Sequence, residues 1–133
     1  MAIDKEGNLV IIENKLDDSG KDVVWQALKY ASYCSTLTKS QIIQIYQDFL
    51  DKESRDENAE NNLNNFCDLG EMELNKSQSQ RIFFIAANYR KEVTATVLWL
   101  LDFNVRIKCF KVTPYQIRDD LFLNIEQIIP MKV

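Results

Sequence analysis

The stretch Leu9-Val10-Ile11-Ile12-Glu13-Asn14-Lys15 decides how the rest of the chain is interpreted. Its first four residues are apolar, and a short run that is apolar on both faces is typical of a buried β-strand. Residues two apart in a strand point to the same side, so Glu13 and Lys15 share a face with Leu9 and Ile11. The stretch therefore predicts a central strand that ends in a carboxylate and an ammonium group on one face.

The residues before this strand predict a β-hairpin. Lys5-Glu6-Gly7 is a short polar segment ending in glycine, between two strand-like runs, which is typical of a hairpin loop. Such a loop pairs Asp4 with Asn8, so that the numbers of paired residues add up to 12. The position opposite Glu13 then lies upstream of Met1, and at about 3.3 Å per residue Asp4 is about 16 Å from the level of Glu13.

Length and composition indicate one globular domain. The chain has 133 residues, of which 46% are apolar and 11% aromatic, enough for a core of its own. It contains neither an apolar run of roughly 20 residues, as a membrane helix needs, nor the pattern of a secretory signal at the start. We therefore expect a cytoplasmic protein without membrane contact.

Two residue types narrow the chemistry. The chain contains no histidine, which excludes Ser-His-Asp and Cys-His catalysis and zinc hydrolases with histidine ligands. Acid–base chemistry would have to come from carboxylates, lysines, tyrosines or metal-bound water. The cysteines Cys34, Cys67 and Cys109 are widely spaced and odd in number, which predicts reduced, buried thiols. Trp25 and Trp99 are expected to be core residues.

Charge is distributed unevenly along the chain. Residues 1–80 carry 8 Lys/Arg and 15 Asp/Glu, a net charge of −7, whereas residues 81–133 carry 8 and 5, a net charge of +3. The basic second part could form a phosphate-binding patch, and a solvated mixed surface is the alternative interpretation. The candidates for phosphate binding are Arg81, Arg90, Lys91, Arg106 and Lys108.

The order of predicted elements indicates an α/β fold with a central mixed sheet flanked by helices. After the hairpin come a helix from Asp22, carrying Gln26 and Tyr30, and a second helix capped by Thr38 or Ser40. Residues 52–79 are polar and are predicted to be an insertion in the single domain 1–133. Residues 80–112 predict a parallel β-α-β unit. Its last strand should stop at Pro114, before one or two final strands in residues 121–129.

Glu13 and Lys15 are a plausible pair for phosphodiester chemistry. Glu13 and the Asn14 carbonyl are hard oxygen ligands of the kind that Mg²⁺ or Mn²⁺ prefers. Lys15, on the same face, can position a water molecule and neutralise charge on phosphate oxygens. Gln26 on the next helix can hydrogen-bond phosphate or that water, with Tyr30 one turn further on. A surface salt bridge is the ordinary alternative for such a pair.

With these residues in place, the sequence resembles the PD-(D/E)xK, or restriction-endonuclease-like, nuclease superfamily. Its pattern is an aspartate on one strand, Glu-x-Lys on the next, and a helix that often carries Gln-x-x-x-Tyr. Glu13-Asn14-Lys15 and Gln26-Ala27-Leu28-Lys29-Tyr30 match the second and third elements. Residues 4–36 and 81–130 are similar to bacterial members of uncharacterised function. The resemblance implies a nucleic-acid-binding, Mg²⁺- or Mn²⁺-dependent DNA endonuclease ancestry, with no tightly bound cofactor.

The chain departs from this family pattern at its first element. The hairpin register does not bring Asp4 close to Glu13. The other possible carboxylates, Asp17 and Asp18, come after the Glu-x-Lys motif in the sequence, whereas the aspartate of the family pattern comes before it. We therefore expect the first core strand and the catalytic aspartate to be missing, and the chain to be inactive or incomplete as a nuclease. The alternatives are a non-enzymatic nucleic-acid- or protein-interaction module on the same fold, and an interaction domain with a chance Glu-x-Lys. The exposed sheet edge also suggests a homodimer.

Overall fold

A computed structural model of the chain describes residues 1–15, 22–67 and 73–131. Five strands and four helices are formed within these residues. The strands are β1 (Ala2–Ile3), β2 (Leu9–Lys15), β3 (Arg81–Ala86), β4 (Ile107–Ile117) and β5 (Asp120–Ile129). The helices are α1 (Val23–Ser35), α2 (Lys39–Lys52), α3 (Ala59–Phe66) and α4 (Lys91–Leu101).

The chain divides into two compact units. Unit 1 comprises Met1–Val10 and Ser32–Gln80, and unit 2 comprises Ile11–Ala31 and Arg81–Val133. Strand β2 and helix α1 each pass from one unit to the other. The Glu13-Asn14-Lys15 end of β2 and the start of α1 both belong to unit 2.

The predicted hairpin at the start of unit 1 is confirmed. Ala2 pairs with Val10 and Ile3 with Leu9, in antiparallel fashion, so the paired numbers add up to 12 as expected. The Asp4 carboxylate accepts hydrogen bonds from the backbone N–H groups of Glu6 and Asn8, both at 2.9 Å. Gly7 has a φ of 83°, a left-handed conformation that glycine adopts without steric cost. Asp4 therefore stabilises the turn.

Helices α2 and α3 contribute further buried residues to unit 1. Thr38 is the N-cap of α2, as one of the two predicted caps, and forms a reciprocal capping box with Gln41. Helix α3 lies within residues 52–79, which the sequence predicted to be a polar insertion. The Gln47 side chain of α2 accepts a 2.9 Å hydrogen bond from the N–H of Ala59 at the start of α3. Leu50, Ala59 and Leu63 are buried.

The strands form one mixed sheet in the order β1-β2-β3-β4-β5, which confirms the α/β class. Strands β3 and β4 are parallel, with Ile82 opposite Ile107, as predicted for the β-α-β unit around α4. Strands β4 and β5 are antiparallel, and β5 is a single final strand.

The prediction that Pro114 ends its strand is wrong. Strand β4 continues to Ile117, and Pro114 lies opposite Leu123 of β5. The reason is that β3 pairs with β4 only as far as Lys111. Beyond that point one side of β4 has no strand neighbour in the sheet, and proline, which lacks an N–H donor, is tolerated on such an edge.

The two faces of the sheet in unit 2 differ in burial. Ile82, Phe84, Ile107 and Cys109 are almost fully buried, and we call their side the closed face. On the opposite side, the ring of Phe83 lies 5.3 Å from that of Phe110. The remaining members of that side follow from the strand pairing. We call this side the open face, and its residues are Arg81, Phe83, Ile85, Arg106, Lys108, Phe110, Val112, Pro114, Gln116, Leu121, Leu123, Ile125 and Gln127.

The three cysteines are buried and free, as predicted, but the prediction for the tryptophans is wrong. Trp25 and Trp99 are both more than half exposed. In α1 and α4 the positions that face inward are taken by smaller residues, Val23 and Ala27 in the first and Val93 and Val97 in the second. The helical period of the sequence was compatible with burial of either the tryptophans or these smaller residues. Of the helices that the structure describes, none is long and apolar enough to cross a membrane.

Candidate functional site

The end of β2 places Glu13 and Lys15 together. Leu9, Val10 and Ile11 are buried, whereas Ile12 and Asn14 are exposed and Glu13 and Lys15 are half-buried. The strand is therefore buried on both faces only from Leu9 to Ile11, whereas the sequence predicted burial through Ile12. Beyond Ile11 its alternation turns the carboxylate and the ammonium group to the inner side.

Glu13 and Lys15 line a crevice of about 190 Å³ within unit 2. The other lining residues come from α1, β3 and the start of α4: Val23, Phe84, Ile85, Ala86, Tyr89 and Val93. Phe84 and Ala86 are closed-face residues, so α1 and α4 cover that face. The crevice has no volume accessible to a water-sized molecule. The structure thus places Glu13 and Lys15 at one crevice with an apolar floor, and a hydrated ion could meet their side chains only at its outer side.

Tyr89 fixes the wall of the crevice. Its hydroxyl lies 2.9 Å from the carbonyl oxygen of Phe84 and 2.6 Å from that of Phe110, so its single proton is shared between β3 and β4. Burial raises the pKa of Tyr89 above its ordinary value of 10.0, and the neighbouring Cys109 raises it further. Tyr89 is therefore a neutral hydrogen-bond donor at physiological pH, and it ties the loop before α4 to the sheet.

Gln26 and Tyr30 are both exposed on α1, and neither is among the residues that line the crevice. Val23, three residues before Gln26, lines it instead. The Asp22 carbonyl accepts a hydrogen bond from the Gln26 N–H at 2.9 Å, so Asp22 is at the helix start as predicted. The predicted Gln-x-x-x-Tyr pair thus presents its side chains to solvent, Gln26 near the start of α1 and Tyr30 in the middle of the helix.

The five predicted phosphate-binding cations fall into two sets. Arg90 is the N-cap of α4 and Lys91 its first residue, between Tyr89 and Val93 of the crevice wall. Arg81, Arg106 and Lys108 are on the open face. There the Arg81 guanidinium carbon and the Lys108 ammonium nitrogen lie 5.5 and 5.9 Å from the centre of the Phe83 ring, within the range of cation–π attraction.

The described residues supply one carboxylate to the crevice, that of Glu13. Asp4 is engaged in the hairpin turn of unit 1, and Asp17 and Asp18 lie outside the described residues. Among residues 1–15, 22–67 and 73–131, no group of three or more Cys, Asp or Glu side chains is arranged to hold a metal ion. Mg²⁺ is commonly held by one or two carboxylates together with water and substrate phosphates. Glu13 and the Asn14 carbonyl therefore fit only a weak, largely hydrated Mg²⁺ or Mn²⁺ ion.

Sequence reasoning missed Tyr89 as a residue of this site. The signal for it was weak, because a tyrosine just after a buried strand is an ordinary loop residue. It also missed a pocket of unit 1, which has a volume of about 490 Å³ and a mostly apolar lining that includes Ile45, Phe49 and Phe66. This pocket contains no charged side chain. It has the volume of a ligand pocket, whereas Glu13 and Lys15 line the crevice of unit 2.

In comparisons with known proteins, no family model, no curated protein and no solved structure matched the chain.

Proposed function

We propose that the chain is a nucleic-acid-binding domain related to restriction-endonuclease-like nucleases. Glu13 and Lys15 mark the position of the ancestral catalytic site, and DNA is the expected ligand. The observation that carries this proposal is that the two side chains line one crevice at the end of β2. The mixed α/β sheet with a parallel β3–β4 pair is compatible with that ancestry.

Charge around the crevice favours a phosphodiester ligand. Lys15 is on the same side as Glu13, and α4 begins beside them with Arg90 and Lys91. The N–H groups of a first helical turn and the helix dipole both favour a bound anion. Lys15 and Lys91 would hold the phosphate. Gln26 and Tyr30, which are exposed one turn apart on α1, would contact the nucleic-acid backbone from outside the crevice.

The ligand set predicts weak metal binding and little cleavage. A bound Mg²⁺ or Mn²⁺ ion would supply charge neutralisation at the phosphate and a more acidic water molecule. Glu13 and the Asn14 carbonyl would hold that ion. With a single carboxylate we expect a dissociation constant in the millimolar range, which corresponds to about 4 kcal/mol of binding free energy, and the chain alone should nick DNA slowly or not at all.

Calorimetric titration with Mn²⁺ tests the site. The wild-type protein should bind one ion weakly, Glu13→Gln should abolish binding, and Glu126→Gln should leave it unchanged, since Glu126 is an exposed carboxylate on β5 of the same unit. Equal binding by all three proteins would refute the assignment. Robust metal-dependent nicking of supercoiled plasmid by the wild-type chain, abolished in Glu13→Ala, would instead refute the expected inactivity and leave the site assignment standing.

A non-enzymatic nucleic-acid module is the second candidate function. The observation in its favour is the set of cations Arg81, Arg106 and Lys108 on one face of the sheet beside Phe83. This function predicts DNA binding that weakens steeply with salt and needs no metal. Salt titrations with and without Mn²⁺, on wild type and Glu13→Gln, separate the two functions.

A further inference from the structure

The unit 1 pocket, with its volume of about 490 Å³, is lined by residues of the hairpin and of helices α2 and α3. These residues all belong to unit 1, so one compact unit forms the pocket. Three of them, one from each element, are almost fully buried and form its floor: Leu9, Ile42 and Leu63. Three others are about half exposed and form its rim: Ile45, Phe49 and Phe66. The pocket is therefore a concave apolar surface that is open to solvent on one side.

Helix α2 provides one continuous side of the pocket. Ile45, Tyr46 and Phe49 lie three, four and seven residues after Ile42, so the four side chains share a face of the helix, and all four line the pocket. Only Ile42 among them is buried. An apolar molecule displaces water favourably from such a surface, and concave sites of about 300–1,000 Å³ are the usual ligand sites of proteins. The apolar face of α2 thus selects a ligand with an apolar body.

Two polar side chains in the lining retain unused hydrogen-bonding capacity. The Asn62 amide nitrogen donates to the Tyr46 hydroxyl oxygen and to the Glu57 carboxylate, both at 3.2 Å. Among the described residues, no group accepts the Tyr46 hydroxyl proton, and none donates to the Asn62 amide oxygen. A donor and an acceptor side by side match a hydroxyl group, which accepts one hydrogen bond and donates another. The polar part of the ligand is therefore a hydroxyl group.

Charge at the pocket disfavours an ionic ligand. None of the described residues that line it is charged. The Glu57 carboxylate, which Asn62 contacts, is paired with the Arg55 guanidinium, and the hydrogen bond from Arg55 lowers the pKa of Glu57. The two charges offset each other. A carboxylate or ammonium group carried into the pocket would lose hydration without gaining an opposite charge, so the ligand is uncharged.

We propose that the unit 1 pocket binds a small uncharged amphiphile: an aliphatic or aromatic body with a single hydroxyl group, which accepts a hydrogen bond from Tyr46 and donates one to Asn62. The inference goes beyond the proposed function and does not depend on it, since the Glu13 crevice has a different lining. At about 30 Å³ per non-hydrogen atom, the share of a water molecule in the liquid, the pocket holds about sixteen such atoms. A medium-chain alcohol or a substituted phenol is of this size, whereas a phospholipid is several times larger.

Fluorescence of N-phenyl-1-naphthylamine, an uncharged probe that emits strongly in apolar surroundings, measures binding to the folded chain. The wild-type protein should bind the probe with a dissociation constant of about 1–100 µM, as expected for a ligand of this size. Decanol should displace the probe at least about ten times more effectively than decanoate or decylammonium at neutral pH, because the two ions lose hydration in the pocket. All three competitors are used below the concentrations at which they aggregate.

Substitutions locate the site. Phe49→Asp and Ile45→Asp each place a charge at the rim and should weaken probe binding at least about tenfold. Tyr33→Asp is the matched control, because Tyr33 is 65% exposed in the same unit and does not line the pocket. Tyr46→Phe should lower the affinity for decanol about fivefold, the worth of one hydrogen bond, and should change the affinity for the probe, which has no hydroxyl group, by less than about twofold.

Circular dichroism establishes that each variant is folded, which is expected because Ile45, Phe49 and Tyr33 are exposed. A wild-type chain that gives no probe fluorescence over this concentration range overturns the proposal, including one that instead dimerises through this pocket and becomes monomeric as Phe49→Asp. Equal probe binding by Phe49→Asp and Tyr33→Asp overturns it as well, as does displacement by decanoate as effective as that by decanol. A Tyr46→Phe variant that binds decanol as tightly as the wild type overturns the assigned hydroxyl group.

Discussion

Replacing Tyr89 by phenylalanine removes the hydroxyl that connects β3 and β4 beside the crevice. The hydroxyl is 2.9 Å from the Phe84 oxygen and 2.6 Å from the Phe110 oxygen. The net value of a hydrogen bond in a folded protein is about 1 kcal/mol, and an acceptor left unsatisfied costs about 1–3 kcal/mol. We expect Tyr89→Phe to lower the free energy of unfolding by about 1–3 kcal/mol, with the ring and its packing retained.

Urea denaturation at pH 7, followed by far-UV circular dichroism, measures this loss. The urea concentration at the midpoint of unfolding should fall. The slope of the unfolding free energy against urea concentration should stay the same, because the surface exposed on unfolding is nearly unchanged. Tyr30→Phe is the control, since Tyr30 is an exposed tyrosine of the same unit and should change stability by less than about 0.5 kcal/mol. If Tyr89→Phe is as stable as Tyr30→Phe, the hydroxyl does not connect the two strands and the account of the crevice wall is wrong.

Four further outcomes are expected. Burial raises the pKa of Cys109 to about 12 from an ordinary value of 9.0. Because the thiol loses its proton at lower pH in the unfolded chain, the free energy of unfolding should be constant below pH 9 and fall by about 1.4 kcal/mol per pH unit above it. Cys109→Ala should reduce this slope in urea titrations at alkaline pH. Thr38→Ala should cost about 1 kcal/mol through loss of the α2 cap, whereas Ser40→Ala should cost almost nothing in the same unfolding assay. Asn75 donates to the carbonyls of Cys34 and Leu37 and has a φ of 57°, so Asn75→Ala should cost about 3 kcal/mol, and a thermal midpoint equal to that of wild type would contradict this. Lys15→Ala should weaken binding of a labelled DNA duplex in fluorescence anisotropy several-fold and lower the salt slope by about one, while Lys111→Ala, which removes the same charge from β4, should not do so to the same extent.

Local patterns predicted the elements around the site well. The apolar run and the short polar loop that ends in Gly7 predicted both the bounds of β2 and the hairpin register. The helix cap at Thr38 and the parallel β3–β4 pair followed from equally local signals. The position of Glu13 and Lys15 on the same side of β2 could be predicted from the alternation of side chains along a strand alone.

What the sequence did not predict depends on tertiary neighbours. Trp25 and Trp99 are exposed because valines and alanines on the same helices occupy the contacts with the sheet, and helical periodicity cannot choose between two apolar faces. The continuation of β4 through Pro114 depends on where β3 stops. The role of Tyr89 depends on two carbonyl groups 5 and 21 residues away, a relation that no local pattern contains.

The most direct test of the central proposal is to locate Mn²⁺ on the folded chain by paramagnetic broadening in ¹H–¹⁵N NMR spectra. If Glu13 and Lys15 are the remains of a nuclease site, substoichiometric Mn²⁺ should first broaden the amide signals of residues 13–15, 84–86 and 89, and Glu13→Gln should remove this effect. Broadening confined to the acidic residues 119–120 or 56–57, with the signals around Glu13 unchanged, would contradict it.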